Sequence, residues 1–168
     1  MKDSSRIRYL YFAMLLALLV IMMLQSRTAG ISCDEILHHN HAVSVVNYFT
    51  TGGEDISALN TPVTNLKFYG QSPDNVAAFL ARITKTEDVY LLRHLFSSLL
   101  GWLLVAVTSA FALWLSGYRA AIVAVALFAI TPVFMGHSMN NLKDVPFALS
   151  YIAAVYFSFR LLWEQGRP

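Results

Sequence analysis

Charge is what this sequence of 168 residues has least of. Only 13% of its residues are Asp, Glu, Lys or Arg, and 57% are apolar, whereas an average soluble domain carries about 25% charged and about 45–50% apolar residues. This deficit excludes an ordinary soluble domain and a disordered segment. The formal net charge is +2, which provides no strong field for binding nucleic acid.

Cysteine is nearly absent as well. The single cysteine, Cys33, excludes an internal disulfide and a cysteine-based zinc site. A lone cysteine of this kind is expected to be a small buried apolar residue rather than a reactive thiol.

Charged residues are missing altogether from four stretches, at residues 9–26, 94–118, 120–142 and 145–159. A helix needs about 20 apolar residues to cross a hydrocarbon layer of ~30 Å. The sequence therefore predicts an all-α, multi-pass membrane protein with transmembrane helices near residues 9–26, 93–116, 119–136 and 145–163. A cleaved signal peptide is the alternative for the first stretch, but its apolar run is long for that role and no suitable cleavage site follows.

The basic residues at the amino terminus predict the orientation. Lys2, Arg6 and Arg8 precede the first helix, and cytoplasmic flanks are enriched in Lys and Arg. We therefore expect a cytoplasmic amino terminus, with residues 27–92 and 137–144 outside the cytoplasm. The sequence has no Asn-x-Ser/Thr glycosylation signal, which favours a bacterial plasma membrane.

The first external loop is long enough to contain helices. Ser32 and Glu35 match a capping box, which predicts a helix near residues 33–49. A second helix is indicated at Ser72, as the capping serine, because a proline and an acid follow it. We expect both amphipathic helices to lie in the membrane interface, with residues 58–70 between them as extended loop.

The first polar cluster follows the first transmembrane helix. The capping box accounts for Glu35, and a helix amino terminus also favours an acid such as Asp34, but two adjacent acids are harder to explain in this way. Each acid has a histidine four residues later, His38 and His39, and carboxylates with imidazoles suit zinc or manganese. With His137 of a later loop, these histidines are candidate ligands of a divalent metal, or else ordinary interfacial polar residues.

A second polar cluster links the third and fourth transmembrane helices. It contains His137, Lys143 and Asp144. Asp144 could simply cap the fourth helix, and Lys143 could reach toward lipid head groups. The predicted topology, however, brings Asp144 to the same membrane face as Asp34, with Arg93 at the start of the second helix. Acids with basic neighbours at a membrane surface suit chemistry on an anionic lipid phosphate.

Three segments together resemble a known group of enzymes. They are Asp34-Glu35, residues 93–101 (RHLFSSLLG), and residues 136–148, which contain Gly-His-Ser and then Asn-Asn-Leu-Lys-Asp-Val-Pro-Phe-Ala. The sequence resembles the polyprenyl-phosphate-sugar glycosyltransferases of the GT-C superfamily, and within it glycosyltransferase family 39, the protein O-mannosyltransferases and aminoarabinose transferases. The resemblance covers about residues 31–150.

The resemblance implies transfer of a sugar, with inversion, from a lipid-linked monophosphate donor to a hydroxyl of an acceptor protein or glycolipid, outside the cytoplasm. It implies Asp34 as the catalytic base and Glu35 as its partner. Asp144 would assist the site or a metal, and Arg93 or Lys143 would hold the donor phosphate. Members of this family have more transmembrane helices, so we expect the chain to correspond to the amino-terminal part of such an enzyme.

A non-catalytic membrane protein remains the alternative, either an accessory subunit or a transporter fragment. It accounts for four helices in a short chain. It does not account for the gathering of acids and bases on one face. No glycine-rich phosphate loop occurs in the sequence, in keeping with a donor that carries a lipid phosphate instead of a nucleotide.

Overall fold

The computed structural model describes residues 2–62 and 64–166, and the side chains in those ranges from residue 5 onward. The side chain of Lys2, used above to predict orientation, lies outside this description. Within the described ranges the chain is 82% helical and has no strand. The helices are α1 (Lys2–Gln25), α2 (Cys33–Thr50), α3 (Ser72–Thr84), α4 (Val89–Ser116), α5 (Tyr118–Ala129), α6 (Pro132–Asn140) and α7 (Asp144–Gln165). The predicted all-α class is confirmed.

Three of these helices, α1, α4 and α7, are long and apolar enough to cross a membrane, and α5 with α6 makes a fourth if the bent pair is one span. The predicted continuous helix at residues 119–136 is wrong, because α5 and α6 meet at an angle of 74°. The break precedes Pro132, which has no backbone N–H to continue the hydrogen-bond ladder of a helix.

Two helix starts differ from their predicted positions. The helix α4 begins at Val89, not near residue 93, because the Asp88 carboxylate accepts a hydrogen bond from the backbone N–H of Leu91 at 2.8 Å. Arg93 therefore lies inside the helix rather than at its end. The capping position of α3 is occupied by Gln71, one position before the predicted Ser72.

The core of the bundle lies where α1, α4 and α5 pack together. Its fully or nearly buried members are Tyr11, Leu15, Leu18, Met22, Val105, Ala121 and Val125. Two polar contacts tie α1 to α4 within this core: the Trp102 indole N–H donates to the Leu15 carbonyl at 2.9 Å, and the Tyr11 and Ser109 hydroxyls lie 3.0 Å apart. These contacts hold the two long helices in register.

Close packing of small residues brings α6 against α4. A Cβ placed on Gly101 would lie 2.6 Å from the Cβ of Ser138 and 3.1 Å from the terminal methyl of Met22. No side chain fits at position 101 without moving α6 or α1. The glycine thus lets the end of α6, and the link that follows it, approach the first turns of α4.

The two helices of the first loop pack side by side. Their shared core is Ala42, Val46 and Ala78, and the Arg82 guanidinium donates to the side-chain oxygens of Asn47 and Thr50 at 2.9 and 3.0 Å. The prediction of a helix near 33–49 is confirmed by α2. The predicted extended loop at 58–70 instead contains a 3-10 turn at Leu66–Phe68, and another, Ser57–Leu59, overlaps its start.

Candidate functional site

A polar cavity of about 340 Å³ lies at one end of the bundle, between the first turns of α2, α3 and α4 and the link from α6 to α7. It is lined by Ser32, Asp34, Glu35, His38, Asp74, Arg93, His137, Asn140, Asn141, Leu142, Lys143 and Asp144. Of the site residues predicted from the sequence, all except His39 line this cavity. The fold thus brings together residues that are 110 positions apart in the chain.

A buried charged cluster forms the floor of the cavity. The side chain of Arg93 is 1% exposed, and its Nη2 lies 2.6 Å from Oδ1 of Asp74 and its Nε lies 3.8 Å from Oε1 of Glu35. Both carboxylates are 2% exposed. Charges at this depth are tolerated only when they are paired, so the two acids hold the guanidinium in place.

Glu35 serves two helices at once. Its Oε2 accepts the backbone N–H of Ser32 at 3.2 Å, as the predicted capping box requires. Its Oε1 lies 3.0 Å from Nε2 of His94 and 3.8 Å from Nε of Arg93. Glu35 therefore joins the start of α2 to α4, a role that the capping pattern alone does not indicate.

Asp74 and His94 are cluster members that the sequence analysis missed. Asp74 is the acid that follows Ser72 and its proline, and it occupies the first turn of α3 as that helix signal indicates. The signal that could have found it is Arg93 itself. A guanidinium next to a long apolar run needs a counterion, and an acid near the start of an amphipathic helix is a candidate for it.

Arg93 keeps donors that no protein group uses. Its Nε and Nη1 are buried and make no hydrogen bond. Buried polar atoms in proteins are almost always satisfied. Arg93 lines the cavity, so these unpaired donors belong to a residue of the cavity wall.

The rim of the cavity carries exposed charges. Asp34, Lys143 and Asp144 are all exposed. Asn141 shapes this part of the rim, because its Oδ1 accepts the backbone N–H groups of Lys143 and Asp144 at 3.2 and 2.8 Å, and its Nδ2 donates to Oδ2 of Asp144 at 2.9 Å. Asp144 is the first residue of α7 and Lys143 occupies the capping position, so the simple interpretation of Asp144 as the helix cap is wrong.

A second cavity of about 260 Å³ adjoins the first, between α2 and residues 64–69. Three residues line both cavities: Asp34, His38 and Lys143. The Lys143 ammonium lies 5.6 Å from the centre of the Tyr69 ring, within the range of a cation–π contact. The boundary between the cavities thus contains a carboxylate, an imidazole and an ammonium group.

The histidines do not assemble as a metal site. His38 and His137 line the main cavity, whereas His39 lines a separate apolar groove and packs against the Tyr90 ring, with centroids 5.7 Å apart. Burial, together with the positive charge of Arg93, lowers the pKa of His39. No three His, Cys, Asp or Glu side chains converge to hold a metal within the described ranges. His39 lies apart from the other predicted ligands, and metal binding stays a prediction.

Cys33 is not the buried apolar residue that the sequence suggested. It is exposed at the first position of α2, and it does not line the cavity. Its thiol therefore contributes neither to the core nor to the site.

The arrangement combines an exposed carboxylate with donors suited to an oxyanion. Asp34 can accept a proton from a bound hydroxyl. The Lys143 ammonium can neutralise charge on a phosphate. No family model, no curated protein and no solved structure matches this chain.

Proposed function

We propose that this chain forms the site of an inverting glycosyltransferase that moves a sugar from a polyprenyl-phosphate donor to an acceptor hydroxyl. One observation carries the proposal. At one end of a bundle of apolar helices, exposed Asp34 and Lys143 line the same cavity as a buried arginine with an unused N–H. A substrate with a lipid tail and an anionic head group matches this arrangement, because the tail suits the apolar helices and the head group suits the basic residues of the cavity.

The reaction would proceed in a single displacement. The acceptor O–H bond breaks as Asp34 takes the proton, and the acceptor oxygen forms a bond to the anomeric carbon. The bond from that carbon to the phosphate oxygen breaks at the same time, and its electron pair leaves with the lipid phosphate. One displacement inverts the anomeric configuration, and Lys143 with Nη1 of Arg93 would stabilise the departing phosphate.

The two neighbouring acids would have different roles, Glu35 a structural one and Asp34 that of the base. Glu35 is 3% exposed and is committed to Ser32, Arg93 and His94. Asp34 is exposed and lines both cavities. A base must reach the acceptor hydroxyl and change its protonation state freely, so Asp34 is the better candidate. Asp144 would orient the rim through Asn141.

The partners follow from the chemistry. The donor would enter from the membrane, and the acceptor, a protein or a glycolipid, would enter from the extracytoplasmic side. The positive residues in the first turns of α1 support a cytoplasmic amino terminus, which would place the cavity on the outer face of a bacterial plasma membrane.

The test is sugar transfer by the full chain reconstituted in lipid vesicles. Radiolabelled polyprenyl-phosphate sugars would be supplied with candidate acceptors. Asp34→Asn should reduce the rate by about 10²- to 10⁴-fold, the usual contribution of a general base. Glu54→Gln is the matched control, because Glu54 is an exposed acid outside the cavity.

Near-normal transfer by Asp34→Asn would overturn the mechanism. Failure of the folded wild-type chain to transfer any of the sugars would instead favour the non-catalytic alternative, an accessory subunit or transporter fragment.

A further inference from the structure

Gln71 occupies the capping position of α3 but does not cap that helix. Its side chain makes no hydrogen bond to the first turn of α3. It is 5% exposed, and its Nε2 instead contacts Nδ1 of His38 on the neighbouring helix α2. The Gln71 side chain thus contacts His38 of α2 and makes no capping hydrogen bond to the backbone of α3. Its position serves the contact with His38.

The chemistry of the amide decides the state of the imidazole. An amide nitrogen can only donate, so Nδ1 of His38 must accept. A neutral imidazole that accepts at Nδ1 carries its proton on Nε2. His38 lines both cavities, so Nε2–H is the polar group of this ring that remains for a bound molecule.

We propose that Gln71 is a positioning residue that holds His38 as a neutral imidazole protonated on Nε2, so that His38 donates a hydrogen bond to a ligand oxygen beside Asp34. The identity of the ligand rests on the proposed function, whereas the state of the imidazole does not. An oxygen of the donor phosphate is the favoured acceptor, because Lys143 lines the same two cavities and the unused N–H of Arg93 belongs to the larger one.

The orientation of the Gln71 amide is the critical feature. Its Oε1 is buried and has no hydrogen-bond partner. If the amide were rotated by half a turn, Oε1 would accept a hydrogen bond from a protonated Nδ1, and His38 would present a bare Nε2 to the cavity. The ring would then accept a hydrogen bond from a hydroxyl instead of donating one to a phosphate.

Nitrogen NMR of the histidine rings distinguishes these states. The full chain, labelled with ¹⁵N-histidine and placed in lipid nanodiscs, would be studied at about pH 8, above the ordinary imidazole pKa of ~6.5. The variant His38→Phe identifies the signals of His38. The wild type should show a protonated Nε2 and a bare Nδ1. In Gln71→Glu, a carboxylate that can only accept should move the proton to Nδ1.

Gln71→Ser separates this role from helix stability. Serine is a good capping residue, so α3 should remain intact while the short side chain loses His38. In Gln71→Ser, the circular dichroism spectrum should be unchanged. The hydrogen bond to His38 should be lost, so the NMR signals of the His38 ring should no longer show a single form protonated on Nε2. A wild type with its proton on Nδ1 would overturn the proposal, as would a Gln71→Glu variant with an unchanged His38 pattern.

Two probes then identify the ligand oxygen that accepts the hydrogen bond from Nε2 of His38. Addition of a polyprenyl monophosphate should shift the Nε2 signal of His38, and Gln71→Glu should weaken its binding by about tenfold, as for loss of one charge-assisted hydrogen bond. A shift with a methyl glycoside alone would assign the oxygen to a sugar hydroxyl. No shift with either probe would overturn the donor role of His38. A wild type that passes these tests without any sugar transfer would refute the transferase and leave this inference standing.

Discussion

Arg93 and Asp74 form a buried ion pair that fastens α3 to α4, with 2.6 Å between Nη2 and Oδ1. The inner face of α3 is otherwise made of small residues, Ala77, Ala78 and Ala81, which bury little apolar area. The pair therefore matters both for the placement of α3 and for the floor of the cavity.

Asp74→Asn should destabilise the protein, because it leaves the Arg93 guanidinium buried beside only the more distant Glu35. Removal of one partner of a buried pair costs about 3–5 kcal/mol. The free energy of unfolding in detergent micelles would measure the loss. The double variant Asp74→Leu/Arg93→Met should recover part of it, and equal stability of Asp74→Asn and wild type would show that the pair contributes nothing.

Glu35→Gln should lower the stability of the protein, whereas Asp34→Asn should leave it nearly unchanged. Glutamine can still accept the Ser32 N–H in the capping box, but it removes a negative charge beside Arg93, so the midpoint of thermal unfolding should fall. Asp34 is exposed, and its replacement should change stability by no more than about 0.5 kcal/mol. A larger loss of stability for Asp34→Asn than for Glu35→Gln would contradict this assignment.

Gly101→Ala should disturb the contact between α4 and α6, since its Cβ would lie 2.6 Å from that of Ser138. Overpacking of this kind costs about 1–3 kcal/mol. Gly136→Ala in α6 is the matched control, because a Cβ there meets no atom within 4 Å and alanine favours a helix. Thermal unfolding should rank Gly136→Ala at or above wild type and Gly101→Ala below it; the reverse order would refute the close approach.

Stability should fall as the pH drops below about 6.5. Burial lowers the pKa of His39 and of His41, and the positive charge of Arg93 lowers that of His39 further. Around and below the ordinary value of ~6.5 the unfolded chain binds more protons at these positions than the folded chain, so acid favours unfolding. The midpoint of thermal unfolding, followed from about pH 7.5 to 5.5, should fall less in His39→Gln/His41→Gln; an identical slope would exclude these two groups as the cause.

Lys143→Gln should weaken binding of a polyprenyl monophosphate by up to about 5-fold, the effect of one exposed charge. The loss should shrink at high salt, where exposed charges are screened. Lys67→Gln is the control, because Lys67 is also exposed and also lies over an aromatic ring, that of Phe68, yet lines neither cavity. Equal losses for the two variants would show that Lys143 acts only through general attraction.

The features that the sequence predicted well are local ones. Charge-free stretches indicate the transmembrane helices because each charged residue in hydrocarbon is unfavourable by itself, whatever the rest of the chain does. The Ser32–Glu35 box indicates the start of α2 because both partners lie within one turn. The gathering of Asp34, Arg93 and Asp144 at one end of the bundle could also be predicted, since it follows from the order of the helices alone.

The features that were missed depend on contacts between distant segments. Apolar residues continue across Pro132, so composition does not reveal the 74° bend, whereas the packing of Ser138 on Gly101 holds α6 in its turned position. The pairing of Asp74 with Arg93 needs the position of α3 on α4, which no local pattern contains. The same holds for Gln71, whose partner His38 lies 33 positions earlier.

The bend between α5 and α6 also limits the length that the two helices span along the axis of α5. With 12 residues, α5 is about 18 Å long, and the nine residues of α6, turned by 74°, add only about 4 Å along the same direction. That reach falls short of a hydrocarbon layer of ~30 Å. Neighbouring lipids would relieve the mismatch by thinning.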